Sequence, residues 1–242
     1  MLNSDPGNLE PVTKTRLLLW DIDHTLVDFA GLGAAWYAAA FTAATGATMR
    51  VDPVFGGRTE RATTTELLTS NGFEAEEETV QALFKALVAE SERAAHRFAA
   101  EARVLPGAAE ALTAFAGHGD VVQSLVTGNL PEISRHKLAA FDLLEHLDLE
   151  IGGYGTLSAH RPDLVPHAVA LAAAKHGTPF GADAVVVIGD TPNDVRAALD
   201  NGALAIAVAT GLYTAAELQA AGAHTVLPDL TDINAVRAAV LG

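Results

Sequence analysis

At 242 residues the chain is long enough for one large core or a core with a smaller companion, and its 50% hydrophobic but only 6% aromatic content calls for an interior of Ala, Val and Leu, as in helix-covered sheets. Its 30 acidic against 15 basic residues give a formal charge of −15, which repels phosphate backbones and anionic membranes and argues against nucleic-acid and membrane partners. With no cysteine, disulfides, thiolate metal sites and cysteine nucleophiles are excluded, in keeping with a reducing cytoplasm.

Residues 1–14 are polar, carry no apolar stretch of the kind a signal peptide needs, and read as a flexible N-terminal tail. Nowhere does the chain approach the ~18 consecutive apolar residues of a membrane span, and it reads as cytoplasmic. Residues 17–20 (LLLW) form a short apolar run that stops at Asp21, the pattern of a strand buried on both faces of a parallel sheet. Three later runs look alike: residues 121–126, ending in Thr127, Gly128 and Asn129; residues 184–188, ending in Gly189 and Asp190; and residues 204–208, ending in Ala209, Thr210 and Gly211.

Helices follow these runs, with starts marked by Pro131, Pro162 and Pro192 and ends by Gly177 and Gly202. Strands alternating with helices predict a doubly wound parallel α/β sheet whose crevice lies at the carboxyl ends of its strands. Residues 28–101 break the alternation, reading as helices GLGAAWYAAAFTAATG, TERATTTELLTSNG and EEETVQALFKALVAESERAAHRFAAEA. They are expected to be a helical cap inserted after the first strand, leaving residues 15–27 and 102–242 as the catalytic core.

The chemistry is concentrated at the strand ends. Asp21 and Asp23, two residues apart, repel each other unless a cation or a shared proton intervenes, and together offer an oxygen nucleophile and a proton carrier. Asp190 and Asp194 lie in a second acidic cluster, after another buried strand, and two strand ends can clamp one magnesium ion. Thr127 and the Gly128 backbone, with Asn129 beside them, are candidate binders of phosphate oxygens, and Arg161, before Pro162 at a helix head, is the candidate balancing cation. Arg58, in the Gly56-Gly57-Arg58-Thr59 turn, is placed to reach a distal carboxylate or phosphate of a substrate. The nine histidines show no metal-site pairing.

These pieces occur in the order found in the haloacid dehalogenase-like phosphatases. WDIDHTLVD resembles that family's first motif, VTGN its second and IGDTPNDVRAALDNG its fourth; the third departs from it, because SAHRPDLVP offers Arg161 where the family usually has lysine. Arginine keeps the charge but brings a planar fork in place of a compact ammonium; Lys137 and Lys175 are alternatives, although neither sits at an expected strand end.

The resemblance implies a Rossmann-like core in which Asp21 attacks phosphorus, Asp23 protonates the leaving oxygen and later activates water, Thr25 supports the loop, Thr127 binds the phosphoryl group and Arg161 offsets charge. It also implies Mg2+ held by the Asp21 carboxylate, the Asp23 carbonyl and Asp190, with Asp194 as a further or water-mediated ligand. Asp23 favours phosphoryl transfer over dehalogenation. The cap resembles that of phosphoglycolate-phosphatase-like and phosphoglucomutase-like members, which implies hydrolysis of a small phosphorylated metabolite, of the phosphoglycolate or sugar-phosphate type. A phosphomutase and a non-catalytic metabolite- or partner-binding protein are the alternatives, and both a monomer and a homodimer remain open.

Overall fold

The computed structural model describes residues 15–29 and 31–242; the tail expected over residues 1–14 lies outside the described residues. In chain order, strand β1 (Arg16–Trp20) is followed by β2 (Val27–Asp28), helices α1 (Ala34–Thr45), α2 (Glu60–Ser70), α3 (Glu77–Ala94) and α4 (Phe98–Glu101), and β3 (Arg103–Val104). Alternation follows: α5 (Ala108–Ala116), β4 (Val121–Thr127), α6 (Pro131–Ala139), β5 (Gly153–Tyr154), α7 (Leu164–His176), β6 (Val185–Gly189), α8 (Pro192–Leu199), β7 (Leu204–Val208), α9 (Ala215–Ala220), β8 (Thr225–Leu227) and α10 (Ile233–Leu241).

Six strands form a sheet in the order β5-β4-β1-β6-β7-β8, every pairing parallel, which is the doubly wound α/β fold expected from the sequence. From β1 the chain moves to β4 and β5 on one side, then returns to β6 on the other. The order therefore reverses at β1, and the ligand crevice of such a sheet opens beyond the carboxyl ends of β1 and its neighbours.

Alternation along β1 divides its side chains between two apolar layers. Leu18 and Trp20 join the layer that α5, α6 and α10 cover, whereas Leu17 and Leu19 join the layer under α7, α8 and α9. The inserted helices belong to the first layer: Trp36, Tyr37 and Phe41 of α1, Leu67 of α2 and Leu83, Phe84 and Leu87 of α3 pack into the same apolar cluster as Trp20. β2 and β3 pair antiparallel where the chain leaves and re-enters the core, with Val27 opposite Val104.

The four expected apolar runs all became strands, whereas β5 and β8 escaped notice because edge strands of two and three residues carry no apolar run. Gly177 closes α7 in the left-handed conformation, as expected. Gly202 does not end α8, which stops at Leu199, and Pro162 lies in a 3-10 turn, Arg161–Asp163, ahead of α7. The long third inserted helix breaks after Ala94 into a 3-10 turn and the short α4.

Trp20, adjacent to Asp21, is fully buried, and its indole N–H donates to the Gln123 side chain at 3.1 Å; the Gln123 amide donates in turn to the Leu112 carbonyl at 2.9 Å. Gln123→Leu keeps the volume but leaves the indole N–H without an acceptor, and is expected to lower stability by about 1–3 kcal/mol in denaturant titrations. An unchanged midpoint would contradict this role.

Candidate active site

The site begins where β1 runs out. The Asp21 backbone N–H still donates to the Ile188 carbonyl of β6 at 2.8 Å, so this residue is fixed by the sheet itself. Beyond it the chain turns sharply: the N–H groups of Leu26 and Val27 both reach the Ile22 carbonyl, and His24 takes a positive φ of 59°. Thr25 is buried inside this turn, and its hydroxyl oxygen has no hydrogen-bond partner among the described residues.

Asp190 follows β6, the neighbour of β1, and Asp194 lies in the first turn of α8. Single carboxylate oxygens of Asp21, Asp190 and Asp194 lie within 4.8 Å of one another, and all three residues are buried. The backbone accommodates this crowding at Gly211, where an added Cβ would stand 1.8 Å from an Asp190 oxygen. Arg161 Nη2 reaches Asp21 Oδ1 at 3.1 Å and makes a short contact with Asp194 Oδ1. Asp194 Oδ2 accepts from the Thr191 N–H and hydroxyl, so this residue also caps α8.

Three carboxylates and one guanidinium leave two negative charges unbalanced. Burial pushes the Asp21 carboxyl up to about 6, against the attraction of Arg161. Burial, followed by repulsion from Asp194 and Asp21, pushes Asp190 up to about 9. On Arg161, burial favours the neutral form, but the Asp194 and Asp21 charges outweigh it and hold the guanidinium protonated. A hard divalent cation fits this arrangement in charge and in donor type. The free oxygens belong to Asp21 and Asp190, because Asp194 is already committed to Arg161 and Thr191.

Asp23 points to different partners. Lys137 Nζ donates to both of its carboxylate oxygens, at 2.7 and 2.6 Å, and to Asn129 Oδ1 at 2.8 Å, while Asn129 Nδ2 donates to Asp23 Oδ2 at 2.7 Å. Burial alone would raise the Asp23 carboxyl, but the Lys137 charge and these hydrogen bonds hold it below its ordinary value. Thr127 is fully buried, and its oxygen accepts from Asn129 Nδ2 at 2.9 Å and from the Asn129 backbone N–H at 3.3 Å, which leaves its own hydroxyl hydrogen to donate. Lys137 therefore belongs to the site, but beside Asp23 and not in place of Arg161. Lys175 is on the surface with Asp148 and Glu150.

The inserted segment meets the core directly over these groups. Thr59 caps α2 by accepting from Ala62 N. The N–H groups of Glu60 and Arg61, unpaired within the helix, donate to the core carbonyls of Gly128 (2.8 Å) and Gly155 (2.9 Å). Only glycine permits this approach at 155, where a Cβ would stand 1.8 Å from the Gly128 oxygen. Arg161 Nη1 and Asn193 Nδ2 donate to the Gly57 and Gly56 carbonyls, at 3.2 and 3.0 Å.

Beneath this contact lies a chamber of about 360 Å³ lined by Asp21, Asp23, Gly128, Asn129, Arg161 and Asp190 from the core and by Trp36, Tyr37, Arg58 and Glu60 from the insertion. Its size suits a small ligand. Arg58 lines it but pairs with Glu66 and donates to the Ala62 carbonyl at 3.4 Å. Lys137, weighed in the sequence only as an alternative to Arg161, also lines the chamber, as does Glu60, which gave no signal beyond a charged residue on a helix.

A parallel sheet that gathers Asp21, Asp190 and Asp194 beside one arginine, with Asp23 turned to Lys137, defines an α/β enzyme built on carboxylate chemistry. Residues 18–199 match the haloacid dehalogenase-like hydrolases, and the chain belongs to that family. Among solved structures the fold is similar to a hydrolase from Pseudomonas syringae (23% identity, covering 95% of this chain and 100% of that one, TM-score 0.67). It is also similar to a predicted phosphatase from Clostridium acetobutylicum (18%, 92% and 98%, TM-score 0.61) and to a predicted phosphoglycolate phosphatase from Haemophilus somnus (15%, 94% and 99%, TM-score 0.61). Comparison with curated proteins gives no sequence match. Among the described residues no helix is long and apolar enough to cross a membrane.

The charge imbalance has a thermal signature. Folded-state values of about 6 and about 9, raised from 3.8, mean that the metal-free protein is most stable while Asp21 and Asp190 hold protons. Its Tm in chelator is expected to fall as pH rises from about 4 through about 9. Magnesium at about a hundredfold excess over its Kd should then raise Tm by about 5–10 °C near neutral pH, and by less in acid. A Tm in chelator that rises over this range would contradict the imbalance.

Proposed function

We propose that this protein is a magnesium-dependent phosphatase that hydrolyses a small phosphomonoester through an aspartyl-phosphate on Asp21. The observation that carries the reading is the pairing of a sheet-fixed Asp21, beside a buried cluster two charges short of neutrality, with a separate Asp23 held by Lys137 and Asn129. One carboxylate is thereby equipped to bond to phosphorus and the other to handle protons.

In the first step an Asp21 oxygen forms a bond to phosphorus while the bond to the ester oxygen breaks, and the leaving oxygen takes a proton from the Asp23–Lys137 pair. In the second, Asp23 accepts a proton from water as the water oxygen bonds to phosphorus, and the bond to Asp21 breaks to release inorganic phosphate. The Thr127 hydroxyl and the Gly128 backbone N–H serve the phosphoryl oxygens, Asn129 holds Thr127 and Asp23 in place, and Arg161 balances Asp21. Magnesium, bound by Asp21 and Asp190, with the Asp23 carbonyl and Asp194 completing its surroundings, would neutralise phosphoryl charge. The inserted helices act as a cap that keeps water from the reacting atoms. The partner is a small phosphorylated metabolite, for which phosphoglycolate and sugar phosphates are the classes suggested by the motifs.

Phosphate release from p-nitrophenyl phosphate is expected to require magnesium, to stop in chelator and to fall by about 10³-fold or more in Asp21→Asn. Activity that survives in Asp21→Asn would remove the nucleophile from this account. With hexose phosphates, isomerised ester in place of free phosphate would identify a mutase.

A further inference from the structure

Glu60 is a buried carboxylate that the hydrolytic steps do not use. It stands in the first turn of α2 and lines the chamber. Its two oxygens accept from the Tyr37 hydroxyl at 2.8 and 2.9 Å, and Oε1 also accepts from the Thr64 hydroxyl at 3.2 Å. These partners are neutral, and among the described residues no lysine, arginine or histidine pairs with it. Lys137 and Asp23 act on it from nearby with opposite signs, and burial pushes its carboxyl up to about 7. A carboxylate withdrawn from water without a cation is costly to maintain. Oε2, with a single hydrogen bond, retains capacity for a further donor.

The lysine and arginine side chains described on the chamber wall are all engaged, and His24, the other basic side chain there, lies 3.9 Å from Asp28. Lys137 is held by Asp23 and Asn129, Arg161 by Asp21 and Asp194, and Arg58 by Glu66. Among the described residues, a second anionic group on a substrate would meet no lysine or arginine left unengaged on this wall, and would face the Glu60 carboxylate. The remaining walls include the rings of Phe29, Trp36, Tyr37, Phe55 and Tyr213, whose faces attract cations.

We infer that the substrate's leaving group carries a cationic amine, received by the Glu60 carboxylate and the surrounding aromatic rings, which makes the substrate an aminoalkyl phosphate. This rests on the phosphomonoester hydrolysis proposed above, and it sets an aminoalkyl phosphate in place of the phosphoglycolate class that the motifs suggest. Glu60 selects the substrate without touching the reacting atoms, and Tyr37 and Thr64 hold its carboxylate in place.

The test compares kcat/KM, with magnesium, for 2-aminoethyl phosphate, 2-hydroxyethyl phosphate and phosphoglycolate, which share size and differ in terminal charge. The ammonium ester is expected to exceed the neutral one by about tenfold or more and phosphoglycolate to be the poorest, with the ammonium-to-neutral ratio collapsing in Glu60→Gln. General damage to the fold lowers all three together and leaves the ratio intact. A wild-type ratio of one or less, or a ratio that Glu60→Gln does not change, overturns the inference. Should none of the three turn over, calorimetry on Asp21→Asn with magnesium decides it. Tighter binding of 2-aminoethyl than of 2-hydroxyethyl phosphate upholds the inference, and equal or weaker binding rejects it. Failure of the hydrolytic reading itself appears separately, as no metal-dependent release from p-nitrophenyl phosphate.

Discussion

The structure is organised around an electrostatic debt: three carboxylates, Asp21, Asp190 and Asp194, buried together at the carboxyl edge of a parallel sheet, with Arg161 as the one cation in contact with them among the described residues. Such a group is unstable by itself, and its geometry survives because each member is fixed by something else. The β1–β6 ladder holds Asp21, the capping box of α8 holds Asp194, and the 3-10 turn ahead of α7 delivers Arg161. The residual negative charge suits a divalent cation, and it is that cation, once bound, that would give an anionic phosphoryl group a place to bind in a chain whose overall charge repels it.

The second organising feature is the separation of roles between two aspartates only two residues apart. Asp21 faces Arg161 and Asp190, whereas the turn through His24 directs Asp23 to Lys137 and Asn129. Burial acts on both and each has a cation beside it, yet their carboxyls are displaced in opposite directions, because Asp194 and Asp23 repel the charge on Asp21 whereas the Lys137 charge and the Lys137 and Asn129 hydrogen bonds favour it on Asp23. The insertion completes the enclosure by donating the free N–H groups of the α2 amino terminus to core carbonyls, so Glu60 and Tyr37 are set by the same contact that covers the crevice.

Much of this was legible in the sequence because long apolar strands announce where they end. The residues at those ends, Asp21, Thr127 and Asp190, are brought together by the sheet, and Arg161 joins them because its proline-marked turn lies beside the same edge. Lys137 was legible only as an alternative to Arg161; its meeting with Asp23 depends on how α6 packs after β4, which no local pattern encodes. Glu60 was hidden for another reason. An acidic residue in a first helical turn is what the helix dipole favours anyway, so nothing marked it as facing inward. The edge strands β5 and β8 are too short to give a periodic signal, and Tyr37 lay within an alanine-rich helix whose inward face only packing decides.

The central claim is that the Asp21 carboxylate bonds covalently to phosphorus. Its most direct test is to quench the enzyme during turnover with magnesium, reduce it with borohydride, and map the modified residue by mass spectrometry. The account predicts conversion of residue 21 to homoserine, dependent on substrate. Reduction at another carboxylate, or none while phosphate is being released, would contradict it.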